Sequence, residues 1–195
     1  MADAIDAARV AYLEGDPRGD VAADVHYRLG LSRLFHHRDL GGAAEHFRLA
    51  SQEKGAPIVA EARVSLALCL RAQQKYPQAI FELRKLLPQG AKPSPQTAME
   101  LDFLALLLRA SSSPAAEVAA VDMQRIEHLQ ALAQTNEPKD KAHFLLRLAA
   151  AHADVGTAAA RALARTICND VVKLGASAGE STLLAARSTL KDLAK

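Results

Sequence analysis

The feature that most limits this chain is its punctuation. Glycine and proline clusters interrupt it at Gly15-Asp16-Pro17-Arg18-Gly19, Asp39 to Gly42, Gly55-Ala56-Pro57 and Pro88 to Pro95. Further breaks fall at Ser111 to Pro114, Asn136 to Lys139, Val155-Gly156-Thr157 and Gly175 to Gly179, with a polar break at Gln74-Lys75. Glycine loosens the backbone and proline removes a donor, so such clusters end helices. Between them lie stretches of roughly 12–20 residues with apolar side chains three and four apart, the spacing of one helix face. Ala (41) and Leu (28) make up more than a third of the 195 residues. They are the strongest helix formers, whereas strand-forming aromatic and β-branched residues are sparse. The pattern predicts an all-α chain of about ten helices, near 2–14, 20–37, 40–54, 57–73, 76–87, 95–110, 115–134, 138–154, 157–174 and 179–194. Ser94-Pro95 and Ser113-Pro114 read as an N-cap followed by proline in the first turn, and Glu137-Pro138 as a weaker start.

Charge and residue chemistry narrow the function. With 24 basic and 22 acidic side chains the formal charge is +2, which gives no electrostatic reason to expect nucleic acid or membrane partners. The longest apolar run, Phe103 to Leu108, falls far short of the ~20 residues that span a bilayer. The acidic start, Met1-Ala2-Asp3-Ala4-Ile5-Asp6, does not read as a secretory signal. Cys69 and Cys168 sit in apolar helical runs and read as two buried thiols, which fits a reducing, cytoplasmic setting. His36 and His37 diverge by about 100° on a helix, and His143 and His152 lie too far apart to share a turn, so no metal is expected. There is no Gly-x-Ser-x-Gly elbow, and Gly41-Gly42 lacks the Lys-Ser/Thr of a phosphate loop. Ser111-Ser112-Ser113 reads as a linker, and Glu45 and Glu53 as exposed carboxylates. Neither an enzyme nor a cofactor is expected.

Internal repetition is the remaining signal. Leu29-Gly30 lies mid-helix, and Ala43, Phe47 and Ala50 follow after a turn. In the next hairpin Leu66-Ala67 takes the same place, followed by Ala79, Leu83 and Leu86, with Ala43 and Ala79 separated by 36 residues. Leu40 matches Tyr76. This resembles the tetratricopeptide repeat, two antiparallel helices in about 34 residues. The departures are definite: His26 and Arg63 hold the family's Trp slot, and Arg33 and Leu70 its Tyr slot. Pro57 and Pro88 miss the proline register, and the first unit carries an extra residue near His37-Arg38. The resemblance implies a single domain over 1–195, a right-handed α-solenoid of helix hairpins. It is clearest over 24–90 and degenerate over 95–195. Ala159 is a candidate crossing alanine of a last unit, and the final helix a polar cap. An ordinary helical bundle is the competing reading.

The resemblance further implies a concave wall made by the first helix of each hairpin. By register that wall holds Tyr27, Arg28, Leu31, Leu34 and Phe35 from one unit and Val64, Leu68 and Arg71 from the next. The family's Lys/Asn clamp for a C-terminal carboxylate is absent, because Tyr27, Leu31 and Val64 stand in its places. The expected partner is therefore an apolar peptide or amphipathic helix, and the expected role a cytoplasmic adaptor or scaffold. The apolar helix at 98–110 reads as the centre of the stack or as a homodimer face. A ligand-responsive regulator and a self-assembling subunit are the alternative functions.

Overall fold

The computed structural model describes residues 2–15, 18–53, 55–87 and 92–194, with the side chains of residues 2 and 3 undescribed. The chain forms two compact units, Met1–Pro88 and Gln89–Lys195. Among the described residues there is no strand, and there are ten α-helices. The first unit contains α1 (Ala2–Glu14), α2 (Asp20–Phe35), α3 (Leu40–Ala50), α4 (Val59–Ala72) and α5 (Tyr76–Arg84). The second contains α6 (Pro95–Ala110), α7 (Ala115–Leu132), α8 (Pro138–Val155), α9 (Ala158–Lys173), a 3₁₀ turn at Gly175–Ala178, and α10 (Glu180–Asp192). Within each unit every helix packs on its neighbour in sequence, as short connections require.

Local chemistry sets the helix ends. Ser94 Oγ accepts the Thr97 N–H at 3.0 Å ahead of Pro95. Asp39 caps α3 through the Gly42 N–H, and Thr157 caps α9 through the Ala160 N–H. Each cap satisfies an otherwise orphaned donor. Ser113 does not cap α7. Pro114 is the N-cap residue, and the helix opens at Ala115, where the sequence places its start, without a side-chain cap. The third helix also stops early: Ser51 is its C-cap, so the expected continuation is a turn and bend through 53, and residue 54 lies outside the described residues.

The interhelical turns repeat a single device. Arg38, Gln74 and Ser112 have φ of 53°, 60° and 54°, and Gly156 has 77°. The Lys75 N–H reaches the Leu70 carbonyl at 2.8 Å and the Ser113 N–H the Leu108 carbonyl at 3.0 Å. Both are the long bond of a left-handed helix stop. In the first turn the bond spans one residue more, from the Asp39 N–H to the Arg33 carbonyl, which is where the extra residue is accommodated. A leucine followed by a small residue precedes each turn: Leu29-Gly30, Leu66-Ala67, Leu104-Ala105 and Leu148-Ala149, all buried. The small residue comes seven positions before the left-handed residue in the last three and eight before it in the first.

The small residue is required by close approach. A Cβ on Gly30 would lie 2.6 Å from the Phe47 ring. Phe47 is fully buried, as are Ala43 and Ala50 on its helix and Ala79 and Leu83 on α5. Tyr27, Leu31 and Leu34 lean on this core from α2, and Leu70 does so from α4. In the second unit α9 repeats the four-and-three spacing with Ala164, Cys168 and Val171, all buried. Ala159 is exposed, so the crossing alanine is Ala164, about one turn further along. On α7 the corresponding pair is Val121 and Arg125, also buried. There an arginine stands where the other hairpins place Phe47, Leu83 and Cys168.

The sixth helix is less uniformly buried than its apolar sequence suggests. It buries Leu101, Leu104, Leu107 and Leu108 but leaves Met99 54% and Leu106 46% exposed. The last helix buries Ala186 and turns Leu183, Leu190 and Leu193 inward, leaving Arg187, Ser188 and Lys191 exposed.

Candidate functional site

The eight wall residues divide into three groups. Tyr27, Leu31 and Leu34 are partly buried against Ala43, Phe47, Leu66 and Cys69, and the Tyr27 and Phe47 rings lie 5.5 Å apart. Tyr27 and Leu34 therefore serve the core of the first unit. Arg28, Leu31 and Phe35 line a cleft between α1 and α2. Val64 is half-buried and Leu68 and Arg71 are exposed on α4, and none of the three lines that cleft. The sequence places one wall across α2 and α4. A concavity in the first unit lies on the α1 side of α2.

That cleft has a volume of about 410 Å³ and is completed by Ile5, Asp6, Arg9, Ser32 and His36. Its lining is mainly apolar, and Phe35 stands at it with 71% of its surface exposed. α1 is held there by a polar knot. Asp6 accepts hydrogen bonds from Ser32 Oγ and, at 3.0 Å, from Arg9, and His37 Nε2 lies 3.7 Å away. Burial pushes the Asp6 carboxyl up, but the bonds from Ser32 and Arg9 outweigh it and hold the group below the usual carboxylate range. A second concavity of about 460 Å³ lies on the other flank of α1, between Ala7, Val10 and Glu14 and the α2 side chain Arg33. The spacing of Asp6 from Ser32 is 26 residues, so nothing local in the sequence announces the knot.

The second unit contains a polar network and a cleft beside it. Arg125 donates to Asp102 and, at 2.7 Å, to Asp154. Arg147 donates to the other oxygen of Asp102 at 2.6 Å, and Arg109 donates to both oxygens of Asp122. Three cations thus meet three anions across α6, α7 and α8. Burial opposes the charge on Arg125, but Asp154 and Asp102 keep it firmly protonated. Arg109, Asp122 and Asp154 also form the polar wall of a cleft of about 490 Å³ whose apolar side includes Val118, Met123, Ile126 and Val155. The sequence offers one retrospective signal, a charged residue at the four-and-three position otherwise held by Phe47, Leu83 and Cys168.

The thiols of Cys69 and Cys168 are buried and unbridged, as the sequence predicts. Burial pushes both up, the opposite direction from an activated nucleophile. Among the described residues no helix is long and apolar enough to cross a membrane. None of them form a group of three or more His, Cys, Asp and Glu side chains arranged for a metal ion. No protein-family model matches the chain, and no curated protein matches it.

Proposed function

We propose that this protein is a cytoplasmic, non-enzymatic adaptor of the tetratricopeptide-like kind, with right-handed stacks of hairpins within its units. The Leu-small pair seven or eight residues before four left-handed turns supports the repeat reading. The observation that carries the functional reading is Phe35, a large apolar side chain left exposed at an apolar cleft. The occupant that fits is a partner's amphipathic helix. Its apolar stripe would bury against Ile5, Leu31 and Phe35. Its carboxylate would meet Arg28, whose ion pair with Asp24 is exposed on both sides and exchanges at little cost. Asp6 does not compete for that carboxylate's partner, because its own charge is engaged by Ser32 and Arg9.

Selection from a displayed library of helical peptides tests this. The reading expects amphipathic winners carrying Asp or Glu beside the apolar stripe, and a switch toward Lys or Arg when the bait carries Arg28→Glu. Winners with no charge preference on either bait, or no helical winners at all, would overturn it.

A further inference from the structure

Two imidazoles face each other across the seam of α2 and α3. His26 Nδ1 lies 3.2 Å from His46 Nδ1, with ring centroids 5.5 Å apart and planes at 34°. Both rings are half-buried. A direct contact between two Nδ1 atoms needs one ring as donor and the other as acceptor, so only one lone pair is spare in the metal-free pair.

The separation has a second meaning. Two nitrogens bound to one tetrahedral zinc at about 2.0–2.1 Å lie about 3.4 Å apart. A slight opening of the pair would place both lone pairs on one ion. Binding is then a change of tautomer: the donor ring gives up its Nδ1 proton and takes one from solvent on Nε2, so both rings stay neutral and both Nδ1 lone pairs face a divalent ion between them. Burial holds both imidazoles below their ordinary pKa, and the neutral ring is the ligand form. The surroundings are mixed in charge. Glu53 and Glu45 act favourably on a cation at His26; at His46 Glu45 and Asp6 favour it and Arg33 opposes it. Glu45 is tied to Arg48, and Glu53 accepts the Gly19 N–H at 3.0 Å. The two imidazoles are the protein's contribution, and water completes the shell.

We propose that His26 and His46 form a two-imidazole site for an exchangeable divalent transition metal of the zinc class, bridging α2 to α3. Nitrogen donors favour zinc, copper and nickel over magnesium and calcium. An ion there staples the hairpin whose outer face carries the α1 cleft.

The test is a titration of the untagged full chain with zinc chloride, read by the imidazole proton resonances and by calorimetry at pH 7.5. The expected result is one zinc per chain, with His26 and His46 resonances moving together and no response to magnesium. His46→Gln should weaken binding by about tenfold or more, since it removes half of the protein ligands, while His36→Gln leaves it unchanged. Because the resonances are read on the natural sequence, the assignment does not depend on how well the variant folds. His26 and His46 signals that stay still at millimolar zinc would overturn the site. So would a His26→Gln/His46→Gln double variant that binds zinc as tightly as the natural chain.

Discussion

At the scale of single residues, Gly30 and Arg125 show two opposite ways of filling a helix crossing. Gly30 is a close-approach glycine: Phe47 occupies the space a methyl would need, and Phe47 is enclosed on all sides. Alanine is intrinsically the better helix former by about 1 kcal/mol, yet here the clash decides. Gly30→Ala should lower stability by about 1–3 kcal/mol in urea unfolding, and Gly30→Ala/Phe47→Leu should recover part of it. A stabilised Gly30→Ala would mean that α2 and α3 are not in contact at this point. Gly30 and Phe47 were both legible, because the next hairpin repeats them as Ala67 and Leu83. Arg125 was not. Its partners Asp102 and Asp154 lie 23 and 29 residues away on other helices, and only the packed unit brings them together. Removing it takes from Asp102 one of its two arginine partners and from Asp154 its bond, while Arg109 still holds Asp122, so Arg125→Met should cost about 1–3 kcal/mol. Arg28→Met, which breaks an exposed pair, should leave stability unchanged. Equal effects of the two in denaturant unfolding would contradict the network.

At the scale of elements, the helices were readable because periodicity and capping are local. The bounds of α1 and α6 agree with the sequence, and the other helices differ only near their ends. Missed ends have definite causes. At α3 the Ser51 hydroxyl bonds back to the Arg48 carbonyl at 2.8 Å and closes the helix before the glycine the sequence points to. The left-handed residues were legible as turns but not as strained positions. Gln74 and Ser112 adopt a conformation that suits glycine, so Gln74→Gly and Ser112→Gly should each stabilise the chain by about 0.5–1 kcal/mol. Loss of stability would show that these turns are not left-handed. The sixth helix carries a further liability. Glu100 is buried with Gln96 as its hydrogen-bond partner, and burial pushes its carboxyl above the ordinary 4.5. Such a group binds its proton more tightly in the folded chain. Its contribution to stability is complete below the unfolded pKa and is lost as pH rises through the folded one. Glu100→Gln should therefore raise the melting temperature at pH 7, with the gain vanishing near pH 4. A constant gain across that range would place Glu100 in solvent.

At the scale of the whole molecule, the sequence predicted an all-helical chain, which the ten helices bear out, and one wall across α2 and α4, of which Arg28, Leu31 and Phe35 also border the α1 cleft. Register alone puts Tyr27, Leu31, Leu34, Val64 and Leu68 on one wall. The register cannot say which flank of α2 is covered, since that depends on where α1 docks. α1 is fixed by Asp6 against Ser32, a contact with no periodic signature, and it buries none of its described side chains fully. Tyr27, Leu31 and Leu34 lean on the core while Leu68 and Arg71 stay exposed on α4, and a concavity opens toward α1. The central claim is that this concavity, and not the α4 face, receives the partner. The most direct measurement is the dissociation constant of one library-selected amphipathic peptide on Phe35→Ala and on Leu68→Ala, each checked for unchanged unfolding. The account predicts a loss of about tenfold or more for Phe35→Ala, as for a buried aromatic anchor, and none for Leu68→Ala. The reverse pattern would contradict it and return the site to the α2–α4 wall.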